Sequence, residues 1–115
     1  SETFLPLMLS EGVNKGRISL ERLVDVCCYS PARKFGLAPR KGVLDIGSDA
    51  DLVLIDLEKE DIAPENPMYS NSDFSTVAGK KIKGWPTLTM LRGKIVVKDQ
   101  KVTGESGYGR YVPGQ

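Results

Sequence analysis

Three aspartates, Asp45, Asp49 and Asp51, stand within seven residues of one another in the run Lys41-Gly42-Val43-Leu44-Asp45-Ile46-Gly47-Ser48-Asp49-Ala50-Asp51-Leu52-Val53-Leu54-Ile55-Asp56. Clustered carboxylates suit calcium or magnesium, but no glutamate closes the cluster at a recognised loop spacing. Turn aspartates beside a strand ordinarily satisfy nearby backbone N–H groups, so a structural role is expected here. Gly42 and Gly47 do not make a phosphate loop, because Gly47 is followed by Ser-Asp rather than Lys-Ser/Thr and a strand comes next instead of a helix. The two cysteines, Cys27 and Cys28, are adjacent and poorly placed to bridge each other. No histidine occurs in the chain to complete a metal site with them, and both thiols are expected in the core as small apolar groups. Lys80, Lys81 and Lys83 near Trp85 form a basic-aromatic cluster of the kind that binds single-stranded nucleic acid. The alternation Lys81-Ile82-Lys83 fits a strand edge with solvated lysines better, with Trp85 as a packing anchor. No catalytic, substrate-binding or metal-ligating residue is therefore assigned within the chain.

The bulk properties agree with a globular domain. At 115 residues, 40% hydrophobic and 27% charged, the chain has the length of one domain and can bury a core. Sixteen basic and fifteen acidic side chains leave a net charge of +1. That balance supplies no electrostatic argument for nucleic acid or an anionic membrane. No apolar run reaches the ~20 residues needed to span a bilayer, and no basic-then-apolar signal opens the chain, so a cytoplasmic location is expected.

The elements that must position these residues fall in two groups. Leu5, Met8, Leu9 and Val13 recur at helical spacing over 3–14, with Phe4 and Leu7 widening the face. Pro6 lies near the start, where its missing N–H is tolerated, and Gly12–Gly16 carries the breakers. A second helix is expected over 19–29, capped by Ser19, with Leu20, Leu23, Val24 and Cys27 on one face. Ser30-Pro31 then starts a third short helix that ends at Gly36, a left-handed C-cap. Beyond residue 38 the pattern changes to strands: 51–57, bounded by the charged Glu58-Lys59-Glu60; 86–91 and 94–98, joined by a hairpin turn at Arg92-Gly93; and 101–103 after a turn at Asp99-Gln100. Between them, 63–80 is rich in Pro, Asn, Ser and Gly, with Met68, Tyr69, Phe74 and Val77 as scattered anchors. So long an irregular stretch fits a strap over a larger body. The tail from Gly104 to Gln115, with Tyr108 and Tyr111, also wants something to pack against. Together these features predict a C-terminal portion of a larger protein.

Several strings resemble the cyclic amidohydrolases. Ser10-Glu11-Gly12-Val13-Asn14-Lys15-Gly16-Arg17-Ile18-Ser19-Leu20 is similar to the late barrel helices of D-hydantoinases, dihydropyrimidinases, dihydroorotases and allantoinases. Ser30-Pro31-Ala32-Arg33-Lys34-Phe35-Gly36-Leu37 resembles the short helix that follows there, with Ser30 where the family often has Asn. Glu2–Leu7 looks most like the dihydroorotase version of the first helix. Gly47-Ser48-Asp49-Ala50-Asp51-Leu52-Val53 is shared widely across amidohydrolases, and Gly107-Tyr108-Gly109-Arg110-Tyr111 resembles the hydantoinase and dihydroorotase tail.

The resemblance implies an α/β parent, a (β/α)₈ barrel with a flanking β-sandwich. This chain would hold the last barrel helices (1–37), the C-terminal strands of the sandwich (38–103, including the strap 63–80) and a Gly/Tyr tail (104–115). It also implies two divalent metals, zinc in most members, bound by histidines, a carboxylated lysine and an aspartate, with hydrolysis of a cyclic amide. All of those ligands would lie upstream of Ser1, so no cofactor is expected on this segment and it should be inactive alone. Glu2 is the one polar side chain placed to approach the parent's active-site mouth, although favouring the first helix N-terminus suits it better. The expected partners are the remainder of the barrel and further copies in a homo-oligomer, with neither nucleic acid nor membrane. The competing readings are a non-catalytic scaffold or regulatory subunit of the same fold and a free-standing β-domain that binds a partner. Exposed apolar faces on both helices predict self-association of the isolated piece.

Overall fold

A computed structural model describes residues 2–66 and 69–115. Helix α1, Phe4–Leu7, runs directly into a π-helical turn over Met8–Val13, where the Asn14 N–H reaches back five residues to the Leu9 carbonyl at 2.8 Å. The segment closes at Gly16, whose φ of +67° lets the Arg17 N–H bond the Gly12 carbonyl (2.9 Å) and the Gly16 N–H bond that of Val13 (3.0 Å). This is the left-handed termination that glycine permits.

Helix α2, Leu20–Val24, continues through a second π-helical turn, Asp25–Tyr29, into α3, Ser30–Lys34. The expected break at Ser30 is absent. Ser30 has helical angles (φ −60°, ψ −44°), and its hydroxyl donates to Asp25 Oδ1 at 2.9 Å instead of capping a new helix. A proline ring crowds the helix behind it and removes a donor. The π turn immediately before α3 has already shifted the hydrogen bonding, with the Ser30 N–H on the Asp25 carbonyl. Gly36 (φ +67°) ends the helix as expected, with Leu37 N–H on Ala32 O (2.7 Å) and Gly36 N–H on Arg33 O (3.2 Å).

Burial departs from the expected helix faces. In the first segment Pro6, Leu9, Ser10 and Gly12 are buried, whereas Phe4 is exposed. In the second, Leu23 is buried and Val24 is exposed. Cys27 is half-buried and Cys28 exposed, which corrects their placement in the core. Both lie in the π-helical turn that follows Leu23, where Cys27 is partly covered and Cys28 is left exposed.

Strands β1 (Leu52–Ile62), β2 (Lys81–Leu91), β3 (Lys94–Lys98) and β4 (Lys101–Val102) form one sheet in the order β1-β2-β3-β4. β2–β3 and β3–β4 are antiparallel, with a bulge between Thr89 and Met90. Both connecting turns have positive φ at their two central residues, Arg92-Gly93 (46°, 78°) and Asp99-Gln100 (48°, 64°), the twist that tight hairpins favour. β1 runs five residues past its expected end because Glu58 and Glu60 are not a boundary. They pair with Lys83 and Lys81 on β2, each at 2.7 Å. The two lysines are also not on an open edge. β3 first pairs at Leu88, and before that point the helical segment covers the strand: Lys83 N–H donates to Ser10 Oγ (3.1 Å) and Lys83 O accepts from Asn14 Nδ2 (2.7 Å). Covering an edge with a helix is one way to block unwanted pairing.

The chain divides into two compact units, Ser1–Leu20 with Ile55–Pro86, and Glu21–Leu54 with Thr87–Gln115. In the first, Ala63, Ile82 and Trp85 form a core with Leu7 and Val77 packed on it. Trp85 is the anchor expected of it, its Nε1 donating to Ile82 O at 3.0 Å. The two ends of the stretch 63–80 bond each other, Ala63 N–H to Lys80 O (2.9 Å) and Gly79 N–H to Ala63 O (3.0 Å). Val77 anchors it, whereas Tyr69 and Phe74 are exposed; Met68 lies outside the described residues. The described residues thus supply helical segments and one sheet; they do not by themselves build a barrel or a sandwich.

Candidate functional site

The acidic run of the second unit folds into two consecutive turns. Ser48 N–H bonds Asp45 O (3.1 Å) around Gly47 (φ +94°), and the Asp45 carboxylate accepts the Ile46 N–H at 2.8 Å. Asp51 N–H then bonds Asp49 O at 2.7 Å. Lys41 sits between two carboxylates, ion-paired to Asp49 at 2.8 Å and also to Asp51. Arg40 Nε adds a second cation on Asp49 at 3.0 Å. The other oxygen of Asp51 accepts the backbone N–H of Arg92 at 2.8 Å, and Gly93 N–H reaches Ala50 O at 3.0 Å. One aspartate thus ties the strand entry to the β2–β3 turn.

Electrostatics follow from this packing. The Lys41 hydrogen bond, aided by Arg40, holds the Asp49 carboxyl below its ordinary value. Burial works against the Lys41 ammonium, but hydrogen bonds to Asp49 and Asp51 outweigh it and raise its pKa. A lysine held charged in this way is neither a nucleophile nor a base at neutral pH. The sequence expectation of a structural aspartate cluster agrees with this arrangement. The Cys28 thiol is pushed above its ordinary value by desolvation and by its neighbour Cys27, which lowers its thiolate fraction.

Two further clusters were not legible as sites. In the second unit Tyr108 lies beneath two cations, with Arg92 at 4.5 Å and Lys94 at 5.0 Å from its ring centre. Its hydroxyl donates to Leu91 O at 3.2 Å, and Arg92 Nη2 donates to Tyr108 O at 2.6 Å. Tyr108 therefore finds its partner within the chain, while Tyr111 is exposed. In the first unit Glu11 gathers Lys15 (2.7 Å), Lys80 (3.2 Å) and Arg17 (3.8 Å), and the Lys15 and Lys80 hydrogen bonds depress its pKa. Glu2 does not stand in the first turn of α1; its carboxylate accepts the Tyr69 N–H at 3.4 Å. Asn14 bridges Leu57 O and Lys83 O, a role that a polar residue among helix breakers gave no sign of.

These clusters join backbone segments. Among the described residues no group of three or more His, Cys, Asp or Glu side chains is placed to hold a metal, and no helix is long and apolar enough to cross a membrane.

Comparison with known proteins gives a consistent picture. The sequence pattern of the amidohydrolase family matches residues 3–96. An L-hydantoinase of Paenarthrobacter aurescens is 47% identical over 111 residues, 96% of this chain and 24% of the relative. A D-hydantoinase of Ralstonia pickettii is 41% identical over 106 residues, 92% of this chain and 23% of the relative. The solved structure of an L-hydantoinase (dihydropyrimidinase) from Arthrobacter aurescens superposes with a TM-score of 0.91 at 46% identity, over 95% of this chain and 24% of that one. The chain thus spans about a quarter of the length of the relatives it matches.

Proposed function

Because this chain belongs to the amidohydrolase family, we propose that it is the C-terminal part of a metal-dependent hydrolase that opens cyclic amides, of hydantoinase or dihydropyrimidinase type. The observation that carries the reading is 47% identity across 96% of the chain with an L-hydantoinase. That relative and the D-hydantoinase favour the hydantoinase side of the resemblance over the dihydroorotase side suggested by Glu2–Leu7. In the parent, the helical segments close a (β/α)₈ barrel, the strands complete a side β-sandwich, and the loop 63–80 and tail support subunit contacts in a homo-oligomer.

The two divalent metals that the family implies do not fit the residues present. The chain has no histidine, and Asp49 and Asp51, its closest approach to a carboxylate cluster, are already held by Lys41 and Arg40. On this reading the segment's part in the reaction is to hold the fold that carries the chemistry.

The test is a graft. Replacing the matching 111 residues of the Paenarthrobacter enzyme with this chain should give a soluble protein that still hydrolyses hydantoins, while this chain alone with zinc should turn over neither hydantoin nor dihydrouracil. Turnover by the isolated chain, or a folded graft without activity, would overturn the proposal.

A further inference from the structure

In the second unit, segment 43–47 stands on a base that is fixed on both sides. Before it, Gly42 admits no side chain, since a Cβ there would lie 2.6 Å from Ala32 Cβ and 2.7 Å from Cys28 O. After it, Ser48 Oγ donates to Pro39 O at 2.7 Å and Asp49 N–H to Arg40 O at 2.9 Å. Lys41 clamps the same base through Asp49 and Asp51. On this base Leu44 is 76% exposed and Ile46 103%. With Ala50 and Leu52 they line an open apolar groove of about 380 Å³. Asp45, between them, turns its carboxylate to the Ile46 N–H. Among the described residues no hydrogen bond reaches the N–H or C=O of Val43 or Leu44.

A loose loop could fold its apolar side chains back onto its own unit, whereas a clamped one holds them in water, where burial of each would be favourable. Whatever covers them must also meet the neighbouring backbone groups, because a buried N–H or C=O without a partner is costly. The L-hydantoinase relative carries the matching segment as 24% of a longer polypeptide, so a hydrolase of that type has further chain to lie against it. We infer that segment 43–46 docks on the upstream part of the parent, against an apolar strand edge that buries Leu44 and Ile46 and pairs with the Val43 and Leu44 backbone. The inference rests on the hydrolase reading for the identity of the occupant, and needs no catalytic step.

The test compares the 115-residue chain, dilute enough to be monomeric by light scattering, with the graft described above. Hydroxyl-radical footprinting and amide exchange, both read by mass spectrometry, report on the segment. Leu23, 2% exposed in the same unit, is the standard for a buried leucine. In the chain alone Leu44 and Ile46 should oxidise far faster than Leu23, and the 43–45 amides should exchange at free-chain rates. In the graft both side chains should slow to the Leu23 rate and the same amides should become protected. Ile46→Ser in the graft should then speed exchange over 43–45 roughly ten- to a hundredfold, the population change from losing one buried aliphatic side chain. Leu44→Ser serves if that variant does not fold. An active graft in which Leu44 and Ile46 oxidise as fast as in the free chain would overturn the inference and leave the hydrolase reading standing. An inactive graft that protects both would overturn the reading and support the contact. Protection in the monomeric chain alone would overturn the inference, and a graft that does not fold would overturn both.

Discussion

Gly84→Ala tests how the first helical segment is seated on β2. Gly84 has φ +108°, and a Cβ there would stand 2.8 Å from Leu9 Cβ and 3.3 Å from Asn14 Nδ2. Leu9 is fully buried, and Asn14 is held by carbonyls at 57 and 83, so neither can yield without breaking something else. The positive φ costs an L-residue about 1–2 kcal/mol, and forcing a methyl into a packed contact adds about 1–3 kcal/mol. The expected loss is therefore about 2–5 kcal/mol, against a typical total of about 5–15 kcal/mol. Trp85, the only tryptophan and 5% exposed, reports unfolding by fluorescence. With a urea slope of about 2 kcal/mol/M, the middle of the usual range, the midpoint should fall by roughly 1–2.5 M. Gly79→Ala is the matched control: φ is +74° but nothing lies within 4 Å, so only the backbone cost of about 1–2 kcal/mol applies. Leu9→Ala should not rescue Gly84→Ala, because the atom in conflict is the Cβ that alanine retains. Equal losses for Gly84→Ala and Gly79→Ala, within about 0.5 kcal/mol, would refute the close-approach argument.

Further outcomes follow from the ion pairs and the surface. Glu11, Asp49 and Glu60 have depressed pKa values from their lysine partners, so their stabilisation is present above their ordinary 4.5, 3.8 and 4.5 and is lost as pH falls through the lower folded values. Lys41 and Lys83 have raised values; their contribution is present below 10.5 and lost as pH rises through the folded values. Urea midpoints should accordingly be flat near neutrality and fall at both extremes, and Glu11→Gln should flatten the acid limb. Lys41→Met should raise the Asp49 pKa in an NMR titration, with a stability loss that shrinks as acid protonates Asp49. Phe4, Val24, Phe35, Leu44 and Ile46 are all exposed, so light scattering on the isolated chain should show concentration-dependent association that mild detergent reverses.

Much of the fold was legible because local chemistry dictated it. Gly16 and Gly36 end helices where only glycine takes the left-handed turn cheaply, and Arg92-Gly93 and Asp99-Gln100 make the expected hairpins. The strand misreading came from contacts distant in sequence, and the helix misreadings from local bonding and facing that residue spacing does not mark. Glu58-Lys59-Glu60 looked like a strand boundary because nothing nearby reveals that Lys81 and Lys83 stand opposite. Ser30-Pro31 looked like a helix start because a π turn that accommodates the ring leaves no mark in residue spacing. The cysteines looked buried because propensity describes the average thiol, whereas the helix used Leu23 for its inward position. The site residues were the hardest to see: Asn14 and Tyr108 act through carbonyls and cations from 14 to 69 positions away, a relation that only the folded chain creates.

The run from Gly42 to Asp56 separates two properties that usually travel together. It lies within the family match and resembles a string shared widely across amidohydrolases, yet each of its aspartates is already engaged. Gly42 is there because a Cβ would strike the Cys28 carbonyl at 2.7 Å and Ala32 at 2.6 Å. Gly47 is there for its turn, Asp49 for Lys41 and Arg40, and Asp51 for Lys41 and the Arg92 N–H. Substituting any of them breaks a backbone join or strands a charge, costs that do not depend on which substrate is bound or whether a reaction occurs at all. Recognisability here follows from the demands of chain geometry, and catalytic competence from a different set of residues. A non-catalytic relative could keep the whole run intact, so the run identifies the architecture and leaves the activity to be decided by ligands that this segment does not supply.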